Sequence, residues 1–367
     1  GDSHHVLPRG FQLDYLPLQE RDITVPKSDI IKRDINTMAD DPTKKGKSKE
    51  DADKEESEID DDELKKRFND VWIQLGLEEN ALLKEHPQVQ RKAKKLIRDY
   101  LDIFSDSEPG ETDLVELTLK LKPGTQPIRQ KYRDLNPAME ASLQEQIDTW
   151  LKQDIIEESE SSWASPLVPV RKKDGTIRWA VDFRRVNEHL ELDSYPLPRI
   201  QGLLDKAGGH RVYSTLDAVQ AYFHIKMAKE SRHITAFATP NGLWQFKRMP
   251  FGISTAVAAY SRFIAAALNR LGTKDLQAYL DDVLVYSQEL NSHVDRLREV
   301  FEAHRAAGIK LKPKKTRLFQ ESCEYLGHQL SASGIGMVDN YIQRILDWPA
   351  PKTVKEMNSM LGFFSYY

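Results

Sequence analysis

Two adjacent carboxylates, Asp281 and Asp282, follow Tyr279-Leu280 in a string set between two apolar runs. Leu276 to Leu280 reads as one short strand and Val283 to Tyr286 as another, so both acids fall at the turn between them. Burying two like charges side by side is unfavourable unless a cation compensates them. A turn that aims both acids at one place is therefore a candidate cation site. With a third carboxylate on a neighbouring strand it could hold two divalent ions about 4 Å apart, the arrangement used for phosphoryl and nucleotidyl transfer. Asp217 is the candidate, since it ends the apolar run Tyr213-Ser214-Thr215-Leu216. The plain alternatives are a solvated Asp-Asp turn and an Asp217 that caps a following helix.

Other residues fit the same chemistry. Asp174-Gly175 is a strong turn signal inside a hairpin spanning residues 165–183. That hairpin carries Arg171, Lys172 and Lys173 on one arm and Arg178 on the other. Cations on both arms form a clamp for a triphosphate or a nucleic-acid backbone, or simply a charged solvated tip. A second basic stretch, Lys310, Lys312, Lys314, Lys315 and Arg317, alternates with Ile309, Leu311 and Leu318, and so reads equally as the wet face of a strand. Tyr222 lies five residues past Asp217. Its spacing alone favours core packing, whereas beside a nucleotide site its ring could pack under a sugar and exclude a 2′-hydroxyl. Trp163, Trp179 and Trp244 read as core or strand-face aromatics, and the histidines show no metal-ligand spacing.

The elements that must position these groups change character along the chain. Of 367 residues, 40% are hydrophobic and 30% charged, which suits a soluble protein with a sizeable core. The longest clean apolar stretch, Phe263 to Leu268, is far too short to span a bilayer, and no membrane partner is expected. The one cysteine, Cys323, excludes an internal disulfide and any Cys-rich zinc site, and fits a reducing compartment. The first 65 residues carry 11 Lys/Arg against 18 Asp/Glu, and the remaining 302 carry 42 against 39. The acid is thus concentrated at one end. Residues 1–62, with the run Glu50 to Asp62, read as a disordered charged linker.

Residues 63–107 read as a helical segment. Leu64, Phe68, Val71, Trp72 and Leu75 recur at helical spacing, and a second helix follows Pro87. A third starts at Asn136-Pro137 and should bury Leu143, Ile147, Trp150 and Leu151. The chain then becomes strand-rich, with a further hairpin around Asn241-Gly242 and helices expected at 196–206, 254–270 and 291–307. Runs of helix and antiparallel strand point to an α+β fold.

These pieces occur together in an order that resembles the reverse transcriptase region of long-terminal-repeat retroelement (retrotransposon) Pol polyproteins, most closely the Ty3/Gypsy type. The resemblance runs from about residue 100 to the end. It rests on Pro127-Ile128-Arg129-Gln130, Ser162-Trp163-Ala164-Ser165-Pro166, Val181-Asp182-Phe183-Arg184, Tyr213-Ser214-Thr215-Leu216-Asp217, Arg248-Met249-Pro250-Phe251-Gly252, Tyr279-Leu280-Asp281-Asp282 and Tyr325-Leu326-Gly327-His328. It implies a right-hand polymerase: interleaved fingers and palm over 108–330, and the start of a thumb over 331–367. It implies an RNA-directed DNA polymerase that adds dNTPs to a primer on an RNA or DNA template. Asp217, Asp281 and Asp282 would hold two Mg2+ ions, with Mn2+ as a substitute. Lys172 and Arg178 would meet the incoming triphosphate, Tyr222 would gate the sugar, and Tyr325, Leu326, Gly327 and His328 would grip the primer. The implied partners also include the rest of the Pol polyprotein, with its ribonuclease H and integrase. The implied location is the cytoplasm, a virus-like particle or the nucleus.

The chain departs from the family in one segment. After Gly252 the usual text is Leu-Ser-Asn-Ala-Pro-Ala-Thr-Phe-Gln; here it is Ile253-Ser254-Thr255-Ala256-Val257-Ala258-Ala259-Tyr260-Ser261. Family members use that segment as part of the floor under template and nucleotide. Gly1 in place of Met, and the stop at Tyr367, suggest a piece of a longer product. The alternative reading is a decayed or domesticated retroelement fragment that binds nucleic acid or protein without catalysis.

Overall fold

The computed structural model describes residues 49–171, 175, 177–272 and 274–365, with side chains from Asp62 onward. The first helix, α1 (Lys49–Gln74), begins inside the stretch expected to be a disordered linker. The run Glu50 to Asp62 holds no Gly or Pro, and its acids suit the amino-terminal half of a helix, where the macrodipole favours negative charge. Local propensity therefore overrides the composition argument there. Residues 1–48 of that linker lie outside the described residues. Phe68, Val71 and Trp72 of α1 and Leu75 just after it are buried as the spacing predicts, while Leu64 stays exposed.

From Glu55 onward the chain forms one compact unit. Helix α2 (Ala81–Glu85) is capped by the Asn80 side chain, and α3 (Pro87–Asp99) starts on its proline. The helical segment is integral with the rest of this unit. Helix α3 packs along a later helix (Leu290–Ala306), and the pairs Arg298–Asp99 and Arg305–Asp102 tie the two regions together. Helix α4 (Pro137–Lys152) begins where Asn136 Oδ1 accepts the Met139 N–H. It buries Leu143, Ile147 and Trp150, but Leu151 is exposed, because one residue is about 100° of rotation.

Strands β1 (Glu116–Leu117), β2 (Ile156–Glu158), β3 (Ser165–Arg171) and β4 (Ile177–Val181) come next, then α5 (Arg184–Asn187) and α6 (Ile200–Ala207). After them run β5 (Val212–Asp217), β6 (Lys226–Met227), α7 (Lys229–Arg232), β7 (Phe237–Thr239) and β8 (Gly242–Phe246). The predicted hairpins are β3–β4 and β7–β8, the latter closed by Pro240-Asn241. A five-stranded sheet has the order β2-β8-β7-β3-β4. Its aromatic core packs Trp150 edge-on against Phe237 and Phe246, with Phe183 and Phe223 alongside Phe246.

The rest of the chain is α8 (Ala256–Leu268), β9 (Leu276–Tyr279), β10 (Asp282–Ser287), α9 (Leu290–Ala306), β11 (Arg317–Gln320), β12 (Ser322–Tyr325), β13 (His328–Ser331), β14 (Gly334–Met337), α10 (Asp339–Leu346) and α11 (Val354–Phe364). The central sheet is β11-β5-β10-β9, with α9 against β10 and α8 against β9. A three-stranded sheet β12-β13-β14 adjoins β5 through β12. It runs to Met337, past the boundary at residue 330 that the sequence suggested. The α+β reading holds.

Three imidazoles are sealed in this core. His293 lies between the Ser214 and Ser287 hydroxyls, at 2.7 and 2.9 Å. His224 donates from Nδ1 to Ala221 O and accepts the Lys310 N–H at Nε2. His304 donates to Val300 O. Burial pushes their pKa values down, to about 3 for His293 and about 4 for the other two. An unfolded histidine titrates near 6.5, so the unfolded state takes up protons first as pH falls. Stability is then full above about 6.5 and is lost between there and about 4. At pH 5 each imidazole costs about 2 kcal/mol, and three such terms are large against a typical domain stability of about 5–15 kcal/mol. The urea midpoint is therefore expected to drop steeply between pH 7 and pH 5. Equal midpoints at those two pH values would show that the imidazoles are not held neutral.

Candidate active site

Strands β5 and β10 are antiparallel neighbours at the centre of their sheet, and their register sets Asp217 directly opposite Asp282. On its other side Asp282 pairs with Tyr279 of β9, so the β9–β10 loop is only Leu280-Asp281. The sequence placed both acids in the turn; in the fold Asp281 occupies the turn and Asp282 opens the strand. Leu280 takes a φ of 54°, the left-handed region that a two-residue hairpin requires at its first loop position. A leucine there is strained by about 1–2 kcal/mol relative to glycine, and such strain often marks a functional turn.

Asp217 and Asp282 thus face each other across the strands, with Asp281 next in the turn, although Asp217 is distant in sequence from the other two. Partial burial raises the Asp282 carboxyl to about 6, and the charges of Asp281 and Asp217 push the same way, against Lys315. Asp282 keeps solvent on its outer side. Its desolvation is therefore incomplete, and the repulsion among the acids is the part of the effect that a bound cation would reverse. Among the described residues, no three Asp, Glu, His or Cys side chains stand in a ready-made coordination shell. Instead Lys315 Nζ lies 3.2 Å from Asp217 Oδ2. The donor set still fits a hard divalent cation, being all carboxylate oxygen, and the lysine ammonium holds on Asp217 a place that such an ion would take.

Hollows of two kinds flank the acids. One of about 430 Å³ is apolar and lies behind Leu280, between α6, α8 and β9. The hollows at the acids themselves carry charged and polar side chains. A cleft of about 670 Å³ is lined by Arg178, Asp217, Gln220, Phe251, Lys312 and Lys315, among others. A hollow of about 330 Å³ joins Asp217 and Asp282 to Tyr325, Leu326 and Gly327. The Arg178 guanidinium sits over the Phe251 ring at 4.5 Å. The half-buried Tyr222 ring meets Phe251 edge-on at 4.8 Å and Tyr260 at 5.3 Å. Burial raises the Tyr222 pKa, and the Asp281 charge adds to this. Strands β12 and β13 are joined by Leu326-Gly327 alone, with φ values of 47° and 75°. The buried His328 pairs across the strands with Tyr325, and its Nδ1 donates to Leu326 O.

A family model described as reverse transcriptase (RNA-dependent DNA polymerase) matches residues 170–330. The Transposon Tf2-3 polyprotein of Schizosaccharomyces pombe is 32% identical over 232 residues, covering 63% of this chain and 17% of its own length. The retrovirus-related Pol polyprotein from transposon 412 of Drosophila melanogaster is 30% identical over 297 residues, covering 78% of this chain and 24% of its own length. This chain carries a reverse transcriptase region of the retrotransposon Pol type. It spans a quarter or less of the length of these relatives. Two solved structures share the fold. The foamy viral protease-reverse transcriptase in complex with RNA/DNA hybrid gives a TM-score of 0.68 at 24% identity, over 76% of this chain and 38% of that one. The dRH form in complex with ds DNA gives 0.69 at 25% identity, over 76% and 49%.

Within the reverse transcriptase region, the residues singled out from sequence fall into three groups. Asp217, Asp282, Arg178, Tyr325, Leu326 and Gly327 line the two hollows beside the acids, and Asp281 stands next to Asp282 in the turn. Tyr222 packs edge-on against Phe251, and His328 is buried opposite Tyr325. Lys172 lies outside the described residues, as do Lys173 and Asp174 of the same turn. Sequence reasoning missed the Lys315–Asp217 pair. Lys315 was visible only as one of five cations in a stretch. Its placement depends on the backbone bonds Lys312 N–H to Asp217 O and Val219 N–H to Lys310 O, which lash that stretch to the end of β5.

Proposed function

We infer that this chain is the polymerising part of an RNA-directed DNA polymerase, extending a primer 3′-hydroxyl with dNTPs on an RNA or DNA template. The observation that carries this reading is the cross-strand pairing of Asp217 with Asp282, next to Asp281 in the turn, with Asp217 also lining the cleft that holds Arg178. Asp217, Asp281 and Asp282 would hold Mg2+ or Mn2+, which supplies charge to activate the primer hydroxyl and to stabilise the leaving pyrophosphate. Arg178, fixed against Phe251, offers a planar cation to the triphosphate. Tyr222, packed on Phe251 at the edge of the cleft, would gate the sugar. The Leu326-Gly327 turn, whose strands border Asp217 and Asp282, would hold the primer end. Lys315, now paired with Asp217, would leave it to a bound divalent cation and remain as a nearby positive charge.

Primer extension on poly(rA)/oligo(dT), with and without Mg2+, tests this reading. Metal-dependent extension is expected. Binding of the duplex without any extension, in Mg2+ or Mn2+, would favour the non-catalytic nucleic-acid-binding alternative.

A further inference from the structure

Residues 105–112 form a strap between the helical segment and β1. Backbone bonds pin both of its ends: the Ser105 N–H donates to Leu311 O and the Thr112 N–H to His224 O. Between them Gly110 lies so close to Gly308 that a Cβ at position 110 would stand 1.8 Å from Gly308 O. The strap therefore cannot slide, and the Ser107 carbonyl is held in one place. Two side chains donate to that carbonyl, which has two lone pairs to offer. Gln153 Nε2, at the carboxy-terminal cap of α4, reaches it at 3.2 Å, and Gln220 Nε2, in the turn after β5, reaches it at 2.5 Å. Ser107, Gln153 and Gln220 all line the cleft of about 670 Å³ that holds Arg178 and Asp217. The carbonyl thus joins the α4 side of the cleft to the β5 side. Local needs do not account for either glutamine. Gln220 has a φ of 48° and a ψ of 50°, left-handed backbone that glycine adopts without strain. Gln153 Oε1 is buried with no hydrogen-bond partner among the described residues, so the bond to Ser107 O is what orients this amide.

We propose that the Ser107 carbonyl is a clasp across this cleft, and that Gln153 and Gln220 are positioning residues for the incoming nucleotide, fixing the gap between the wall that carries Arg178 and the wall that carries Asp217. This rests on the reading of the cleft as the nucleotide site. Helix α4 is joined to β4, the strand of Arg178, since the Trp179 indole N–H donates to Ser142 Oγ of that helix. Opening the clasp therefore frees the Arg178 wall from the β5 wall. A triphosphate that must meet groups on both walls is bound well only while their spacing is kept. The strap lies before residues 170–330, so the chain upstream of that region would help to shape the nucleotide cleft.

Gln220→Gly removes one amide from a backbone that suits glycine, so the fold is kept, and Gln153→Ala removes the other. Both are compared with the double variant in steady-state extension of poly(rA)/oligo(dT) by dTTP, using the whole chain. Each single variant is expected to raise KM for dTTP at least fivefold while kcat changes less than twofold, the pattern of lost binding. The double variant is expected to stay within twofold of the worse single variant, because either loss opens the same clasp. Two unrelated local defects would multiply instead, and a double variant showing the product of the single effects would overturn the proposal. So would a wild-type KM in either single variant, or a fall in kcat at unchanged KM. Where wild type extends the primer and the variants match it, the clasp alone is refuted. Where wild type itself does not extend, the polymerase reading fails and the clasp falls with it.

Discussion

Asp281→Asn is expected to cut Mg2+-dependent nucleotide incorporation by about a thousandfold or more, on the order of 4 kcal/mol of barrier, while leaving the fold intact. The substitution is nearly isosteric and lies in an exposed two-residue loop, so packing loses nothing. What it removes is one of three charges that would be shared between two cations. The metal-free protein should respond in the opposite direction. The Asp282 pKa of about 6 lies above its ordinary 3.8. Its contribution to stability is therefore full below about 3.8 and is lost as pH rises through about 6. Asn at position 281 withdraws one of the two carboxylates pressing on Asp282. The metal-free melting temperature at pH 7 should hold or rise. Incorporation at the wild-type rate, measured in single-turnover primer extension, would remove Asp281 from the mechanism. Lost incorporation with a collapsed melting temperature would show that the fold, not the chemistry, had failed.

The parts of this site that lie within one stretch of chain were legible in the sequence, and the parts made by the fold were not. The Tyr279-to-Asp282 turn could be read from apolar runs on both sides, and Asn136-Pro137 announced α4. The apolar run ending in Asp217 made it a candidate neighbour of the turn, but no local pattern could show that it faces Asp282; the β5–β10 register supplies that. The division between turn and strand was off by one residue, because Leu280 accepts a left-handed φ that its side chain disfavours. Leu326 does the same at the β12–β13 turn. The acidic run before residue 62 was misjudged for a related reason: composition speaks of burial, whereas helix propensity acts residue by residue. The Tyr260 hydroxyl, buried with no hydrogen-bond partner among the described residues, had no signal beyond a tyrosine in the segment that departs from the family's usual text. Hydrogen-bond satisfaction is a property of the packed interior, and spacing does not report it.

Tyr222→Ala is expected to lower discrimination against ribonucleotides at least tenfold, about 1.4 kcal/mol, while deoxynucleotide incorporation persists. The ring is braced edge-on by Phe251 and Tyr260, so it cannot swing aside cheaply for a 2′-hydroxyl in a dense site. The same bracing means that the substitution also costs stability. Two aromatic contacts, each worth about 0.5–1.5 kcal/mol, are lost from a half-buried position. A fall in melting temperature therefore does not separate a sugar gate from simple packing. The ratio of incorporation efficiencies for a deoxynucleotide and its matching ribonucleotide does. Packing loss lowers both efficiencies alike and leaves the ratio unchanged, whereas loss of a gate raises the ribonucleotide term selectively. Tyr222→Phe supplies the control, because it keeps the ring and its braces and removes only the hydroxyl. It should retain wild-type discrimination. An unchanged ratio in Tyr222→Ala, together with a lowered melting temperature, would leave Tyr222 as packing behind Phe251 and end its case as a gate.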